Sequence, residues 1–542
     1  MNLETNSLGD AVRSGGDTAF SALERRTFAI ISHPDAGKTT LTESLLHAAG
    51  AVHEAGEVKA RGDRRRARSD WMKIEQQRGI SVTSSVMTFQ RGDILFNLLD
   101  TPGHQDFSED TYRTLTAVDC AIMVIDAAKG IEPQTRKLFE VCRIRNVPIV
   151  TFVNKVDREG KSPFELLDEI AEVLQLDVSP QNWPTGIGGL FHGLYDLRRK
   201  ALLVADRSDG VVPGRWVDAA GVDDPAIAGV IPADAAASLA EEGGLALASY
   251  SEFDRAAFRA GDLTPVIFGS ALRGFGIEQL LDILADDGPP PQPQPARPAP
   301  ISPDEPRLTG FVFKVQANMD PNHRDRVAFV RICSGKLTRG MKVLNSRGGK
   351  ALALHNPITF FARDRELAHG AVAGDIVGIP NHGTLRVGDT LTEKGETVFT
   401  GLPDFAPEIL RRVRLSDPLK VKQMRRGLAD LAEEGVIRLF KPALGSAWIV
   451  GVIGELQLDV LQTRLEQEYG AKLEFEPSPY EVARWVRADD PAELKKLTEA
   501  LRSNMAEDQD GVPVLLMRNA WEHGRFEQEW PAITFSAVRE RS

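Results

Sequence analysis

Apolar residues along this chain gather in short unbroken runs rather than in strict alternation. Arg26-Thr27-Phe28-Ala29-Ile30-Ile31-Ser32 is the first, and similar runs recur at 94–99, 121–126, 149–153 and 266–268. Such a run is the pattern of a strand buried on both faces, as in a parallel sheet covered by helices. Between the runs, 38–49, 134–145 and 163–176 carry helical spacing. Strands alternating with helices predict an α/β domain with a mostly parallel sheet over residues 26–288. The interval from Asp157 to Gly269 is too long for one crossover, which predicts an insertion at about 185–262.

The pattern changes twice further on. Residues 289–306 hold Pro289, Pro290, Pro291, Pro293, Pro295, Pro298, Pro300, Pro303 and Pro306, an extended, semi-rigid linker, because proline fixes φ and lacks an amide donor. Short β-rich pieces with Gly-rich turns follow over 307–402 and predict a β-barrel domain. From 403 to 542, helices at 418–434 and 454–469 interleave with strands, an α+β domain ending in a C-terminal tail. Residues 1–25 are polar and Gly/Ser-rich, a flexible N-terminal arm.

Composition narrows the classes. With 42% hydrophobic and 26% charged residues, the chain is neither disordered nor fibrous. Its apolar runs are too short for a membrane span, and the N-terminus lacks a basic-then-apolar export signal, so a cytoplasmic protein without membrane association is expected. Cys120, Cys142 and Cys333 have no metal-like spacing and lie in apolar surroundings, which predicts buried, reduced thiols. A net charge of −12 argues against a chain that coats DNA. Charge is uneven, however. Residues 53–78 hold eight Lys/Arg and five Asp/Glu, and residues 201–262 hold four basic and eleven acidic groups.

Candidate chemistry lies at the ends of the predicted strands. Ser32-His33-Pro34-Asp35-Ala36-Gly37-Lys38-Thr39-Thr40 joins a strand to a helix, the setting of a phosphate-binding loop. Its amides and the helix N-terminus would cradle phosphates, Lys38 would neutralise the β and γ oxygens, and the Thr39 hydroxyl would coordinate Mg²⁺. Lys38 is therefore expected on ligand phosphate rather than in a core. Ser32 stands where the pattern usually has glycine. Asp100-Thr101-Pro102-Gly103-His104 follows the next run, with Asp100 placed to hold Mg²⁺ through water and the Gly103 amide to sense the γ-phosphate. Asn154-Lys155-Val156-Asp157 ends another strand, where Asp157 can accept from guanine N1–H and the 2-amino group, donors that adenine lacks in this arrangement. Gly269-Ser270-Ala271 can offer backbone N–H to guanine O6. Together these motifs predict a GTP/GDP site.

These motifs resemble those of the translational GTPases, the class that includes elongation factors Tu and G. Arg78-Gly79-Ile80-Ser81-Val82 is similar to their switch I, and by that match Ser81 grips Mg²⁺. His104 corresponds to the histidine that positions the attacking water, gated by Pro34 and Ile80. Longer stretches, among them Ser69-Asp70-Trp71-Met72, Asp106-Phe107-Ser108-Glu109-Asp110-Thr111-Tyr112-Arg113 and Val315-Gln316-Ala317-Asn318-Met319-Asp320-Pro321, resemble the bacterial class II peptide chain release factors. That resemblance implies a monomeric GTPase of translation termination. It would act on the 70S ribosome, be stimulated by ribosomal RNA, and recycle class I release factors after peptide hydrolysis. The basic 53–78 stretch suits RNA phosphate. The alternatives are an elongation factor G-like translocase or ribosome-protection GTPase, a regulatory GTPase subunit of a metabolic enzyme, and a non-catalytic GTP-binding module. The length disfavours the first, the switch I and barrel stretches the second, and His104 the third.

Overall fold

The computed structural model describes residues 23–51, 84–208, 211–317, 326–361, 364–367, 370–381, 383–445 and 447–540. Ile80, Ser81, the 53–78 stretch and nearly all of the N-terminal arm lie outside these residues, as does 318–321 of the barrel match.

The first layer structure is a twisted sheet with helices on both faces. Its elements are β1 (Glu24–Ser32), α1 (Lys38–Ala48), β2 (Ser85–Arg91), β3 (Ile94–Asp100), α2 (Ser108–Leu115), β4 (Cys120–Asp126), α3 (Pro133–Ile144), β5 (Ile149–Asn154), α4 (Pro163–Leu174) and β6 (Asp177–Pro180). After β7 (Asn182–Pro184), β8 (Gly193–Asp196), β9 (Ala201–Asp206), β10 (Val212–Asp218) and α5 (Ala233–Ser249), the chain returns through β11 (Leu263–Phe268) and α6 (Ile277–Asp286). The spatial order is β2-β3-β1-β4-β5-β11-β6. Every pairing in this order is parallel except the β2–β3 hairpin, and beyond β2 the sheet continues into the second region through one parallel bridge, Thr88 to Phe361.

Alternate side chains of β1 enter two different cores, which is why its apolar run is unbroken. Phe28 and Ile30 join Leu41 and Leu45 of α1 and Leu280 and Leu284 of α6. Ala29 and Ile31 join Leu138 and Phe139 of α3 and Leu166 and Ile170 of α4. The start of α4 is fixed locally by a capping box, with Glu165 N donating to Ser162 Oγ at 3.2 Å and Ser162 N to Glu165 Oε2 at 2.9 Å. Cys120, Cys142 and Cys333 are buried without a disulfide, and burial pushes the Cys142 thiol up to about 12.

The long interval after α4 builds its own four-stranded antiparallel sheet, β7–β10. Trp183 of β7, fully buried, anchors it against Phe164 of α4 and Phe268 of β11, with ring centroids 4.9 and 5.9 Å apart. The proline-rich stretch is held down at several points. Gln292 N donates to Asp119 Oδ1 at 2.9 Å, and Ala296–Arg297 pairs with Val398–Phe399.

Antiparallel strands Thr309–Ala317, Arg326–Ser334 and Ile376–Pro380 form the centre of the barrel-like second region. It is joined to the first sheet by buried polar contacts. Arg331 Nη2 lies 2.5 Å from Asp119 Oδ2, and Arg25 Nε 3.1 Å from Asp375 Oδ1. The Gly374 carbonyl accepts from Thr27 Oγ1 and Arg331 Nη1, each at 2.7 Å. A third region holds an eight-stranded sheet with helices Val421–Glu433 and Glu455–Tyr469. The stretch read as a C-terminal tail is folded within it. Helices Pro491–Ala500 and Ala520–Glu529 alternate with strands, and Val538–Glu540 returns to pair with Pro403–Phe405.

Candidate nucleotide site

The candidate phosphate loop, Ser32 to Thr40, runs from the end of β1 into the first turn of α1. Gly37 has φ +99°, and a Cβ there would lie 2.3 Å from Asn154 Nδ2, so conformation and space both demand glycine. Asp35 also has positive φ, +65°, held without a glycine's freedom. Beyond Gly37 the first amides of α1 have no intrahelical acceptor, which is the anion-binding property of a helix start. Ser32 is buried at the end of β1, where its small side chain fits. His33 Nε2 lies 3.1 Å from Glu132 Oε1.

Lys38 departs from expectation. It is only 6% exposed, and its ammonium lies 2.5 Å from Asp100 Oδ1 at the end of β3. Lysine on α1 and aspartate on β3 thus form a buried ion pair rather than two groups reaching separately toward a ligand. Thr101 Oγ1 donates to the Ile30 carbonyl at 2.7 Å, locking β3 to β1 just before the turn. Gly103 then passes close to the phosphate loop, because a Cβ there would meet Lys38 Cε and Pro34 Cα, each at 3.9 Å. His104 is 35% exposed, and its Nδ1 accepts from the Asp106 amide at 3.3 Å.

At the other end, Asn154 is the junction. Its Nδ2 donates to the Ala36 carbonyl at 2.8 Å, and its Oδ1 accepts from Lys155 N and Ala271 N, each at 2.9 Å. Lys155, with φ +71°, sends its ammonium to the Asp35 carbonyl at 2.5 Å and to Asp126 Oδ2 at 2.7 Å. Burial works to raise Asp126, but the bonds from Lys155 and the Ala128 amide prevail, so its carboxyl lies below the ordinary value of 3.8. Val156 is buried beneath the loop, and its amide donates to the Gly269 carbonyl at 3.2 Å. The Asp157 side chain is largely buried, with Arg273 Nε 3.7 Å from Oδ2.

The 269–271 turn differs from its expected role. Gly269 N donates to Val153 O at 2.9 Å, Ser270 N to Phe275 O at 3.1 Å, and Ala271 N to Asn154. All three amides already have protein acceptors, because the turn is closed by the Ser270–Phe275 bridge. Ser44 Oγ adds a bond to the Ala271 carbonyl at 2.6 Å.

The structure therefore gathers Ser32 to Thr40, Asp100 to His104, Asn154 to Asp157, and Ser270 and Ala271 along the carboxyl edge of one sheet, where α/β proteins bind ligands. Three groups that sequence reading passed over belong to the same edge: Asp126, Glu132 and Asp106. Asp126 ends an apolar run just as Asp100 does, and that position was its available signal.

A parallel sheet with a glycine loop between β1 and α1 and further loops gathered at its carboxyl edge, followed by a β-barrel, is the architecture of a translational GTPase. The family described as elongation factor Tu GTP binding domain matches residues 23–290, and elongation factor G domain 2 matches 307–394. The family described as class II release factor RF3, C-terminal domain, matches 399–527. Curated relatives named peptide chain release factor 3 extend the likeness along nearly the whole chain. That of Nitrosomonas europaea is 51% identical over 519 residues, 96% of this chain and 97% of its own. That of Nitrosomonas eutropha is 50% identical over 525 residues, again 96% and 97%. A crystal structure of a Thermus thermophilus protein shares the fold, with a TM-score of 0.67 at 24% identity over 87% of this chain and 71% of that one. The chain belongs to the peptide chain release factor 3 family and is a GTP-hydrolysing enzyme of translation termination.

Proposed function

We propose that this chain is a ribosome-dependent GTPase that promotes dissociation and recycling of class I peptide release factors after the finished peptide has been hydrolysed. The observation that carries the reading is the 51% identity, over 96% of this chain, to a relative named peptide chain release factor 3. In this reading the chain acts as a cytoplasmic monomer on the 70S ribosome, and the basic 53–78 stretch meets ribosomal RNA phosphate. The working units are 26–288, 307–402 and 403–542, joined by 289–306, with 185–262 inserted in the first. Among the described residues no helix is long and apolar enough to cross a membrane.

The residues divide the work by position. The 32–40 loop binds the phosphates through its amides, and Lys38 moves from Asp100 onto phosphate oxygen when nucleotide binds. Asp157 accepts from the guanine N1–H and 2-amino groups. Guanine O6 competes with Asn154 Oδ1 for the Ala271 amide, so base binding reads the state of the Asn154 junction. The Gly103 amide donates to the γ-phosphate, and His104, next to it, orients the attacking water. Oxygen donors suit Mg²⁺: the Thr39 and Ser81 hydroxyls would hold it directly, and Asp100, on a neighbouring element end, through a water. The ion, when bound, neutralises charge on the phosphate oxygens.

The test is release of a fluorescent class I release factor from purified termination complexes after peptide hydrolysis. Adding the chain with GTP should speed dissociation by orders of magnitude and support repeated rounds. No acceleration, with GTP hydrolysis intact, would contradict the termination role.

A further inference from the structure

Two residues beyond His104, the switch segment makes an unexpected contact with the third region. Asp106 is 7% exposed, and its Oδ2 accepts from Leu456 N at 2.9 Å, the second amide of the Glu455–Tyr469 helix. The residue before that helix is Gly454, which has no side chain to cap it. Its backbone is extended, with φ −145°, so its conformation does not require glycine. Space does: a Cβ on Gly454 would lie 2.0 Å from Asp106 Cγ. Asp106 thus does for this helix what an N-cap aspartate usually does for its own, from about 350 positions away. Gln457 Oε1 takes the Ile453 amide at 2.6 Å, completing the helix start.

The same residue holds the histidine. Asp106 N donates to His104 Nδ1 at 3.3 Å, and Asp106 Oδ1 lies 3.3 Å from that nitrogen. Further along the same side of the switch segment, Glu109 and Arg113 enter a buried cluster with Asp404 and Arg438 of the third region. The capped helix is itself rigidly seated. Its Arg464 pairs with Glu434 at 2.7 Å, and Gly427 of the neighbouring helix admits Leu465 so closely that a Cβ would lie 2.3 Å from Cδ2.

We propose that Asp106 is the positioning residue that couples the third region to His104, by capping the Glu455–Tyr469 helix through its carboxylate while holding the imidazole through its amide. A shift of that helix displaces Asp106 and turns the ring, so the third region sets the rate at which bound GTP is hydrolysed. This rests on the reading of His104 given above.

The experiment measures the single-turnover rate of ribosome-stimulated GTP hydrolysis, beside GTP affinity without ribosomes, for His104→Ala, Asp106→Ala, Asp106→Asn, Gly454→Ala and the Asp106→Ala/Gly454→Ala pair. Gly454→Ala alters a third-region residue and leaves the 32–40, 100–104 and 154–157 segments unchanged in sequence, yet it must push Asp106 aside. It and Asp106→Ala should each slow hydrolysis roughly ten- to a hundredfold, the scale of a small misplacement of a catalytic group, with GTP affinity unchanged. The pair should be no slower than either alone. Asparagine caps helices about as well as aspartate, so Asp106→Asn should restore most of the rate. Unchanged hydrolysis in Gly454→Ala, beside a slow His104→Ala, would overturn the coupling and leave the histidine's role intact. Additive losses, or Asp106→Asn as slow as Asp106→Ala, would also overturn it. Fast hydrolysis by His104→Ala would instead refute the role of the histidine itself.

Discussion

The side-chain amide of Asn154 donates to the Ala36 carbonyl at 2.8 Å, so the loop proposed to read the base is tied to the loop proposed to hold phosphate across 118 positions of chain. Because Oδ1 also accepts from Ala271 N, one buried side chain spans three loops. Asn154→Ala should leave the Ala36 carbonyl and the Ala271 amide unpaired, at about 1–3 kcal/mol for each buried group. Urea unfolding should show that loss of stability, and calorimetry should show GTP binding weakened at least tenfold. Unchanged affinity would mean that the two ends act independently.

Lys38 and Asp100 form the second linked pair, 2.5 Å apart and both buried. Removing only the lysine strands a buried carboxylate, so Lys38→Ala should cost about 3–5 kcal/mol as well as GTP binding. Adding Asp100→Asn should recover most of the stability and none of the binding. Thermal unfolding beside nucleotide titration separates the two effects. Stability unaffected by Lys38→Ala alone would show that the pair contributes nothing to the fold.

Asp157→Asn should move base preference from guanine toward xanthine. The amide donates to the xanthine 2-oxo group, whereas the carboxylate accepts from the guanine 2-amino group. Loss of a charge-assisted pair costs about 1.5–3 kcal/mol, roughly ten- to a hundredfold in affinity. Competition binding with GTP and XTP measures it, and an unchanged ratio would remove Asp157 from the base site.

Acid should loosen the contact between the GTPase and barrel regions. Asp110 accepts from Ser84 N at 2.9 Å and Ser84 Oγ at 2.6 Å, and meets Lys314 Nζ at 3.1 Å. Burial works to raise this carboxyl, but Lys314 and the Ser84 bonds prevail and hold it below its usual 3.8. A depressed folded value means that its stabilisation is complete above 3.8 and is lost as pH falls through the folded value. Asp110→Asn should therefore be less stable than the parent by about 1–3 kcal/mol near neutral pH, with the gap closing in strong acid. Denaturant melts across that range check it, and a gap independent of pH would contradict the assignment.

What could be read from the chain was local. The phosphate loop, Asp100 to His104 and Asn154 to Asp157 are each contiguous and end an apolar run, so spacing alone placed them at one sheet edge. Strand β11 extends back to Leu263, before the 266–268 run, because Pro265, which lacks an amide donor, is tolerated beside the edge strand β6, opposite Ser179. The buried pairs between regions were not legible. Arg25 meets Asp375, Asp119 meets Arg331, and Glu109 meets Arg438. Each partner, taken alone, is an ordinary charge separated by hundreds of positions from what neutralises it. Asp106 was invisible for the same reason, since its helix begins at Glu455. The engaged amides of 269–271 escaped because only the closed turn shows where their hydrogen bonds go.

The most direct test is His104→Ala on termination complexes, with GTP affinity, GTP hydrolysis and repeated release-factor dissociation followed together. The imidazole would touch only the attacking water, so affinity should hardly change while ribosome-stimulated hydrolysis falls by orders of magnitude. The variant should eject a class I release factor once and then remain on the ribosome. Normal multiple turnover by His104→Ala would contradict the proposal that GTP hydrolysis, directed by this histidine, resets the cycle.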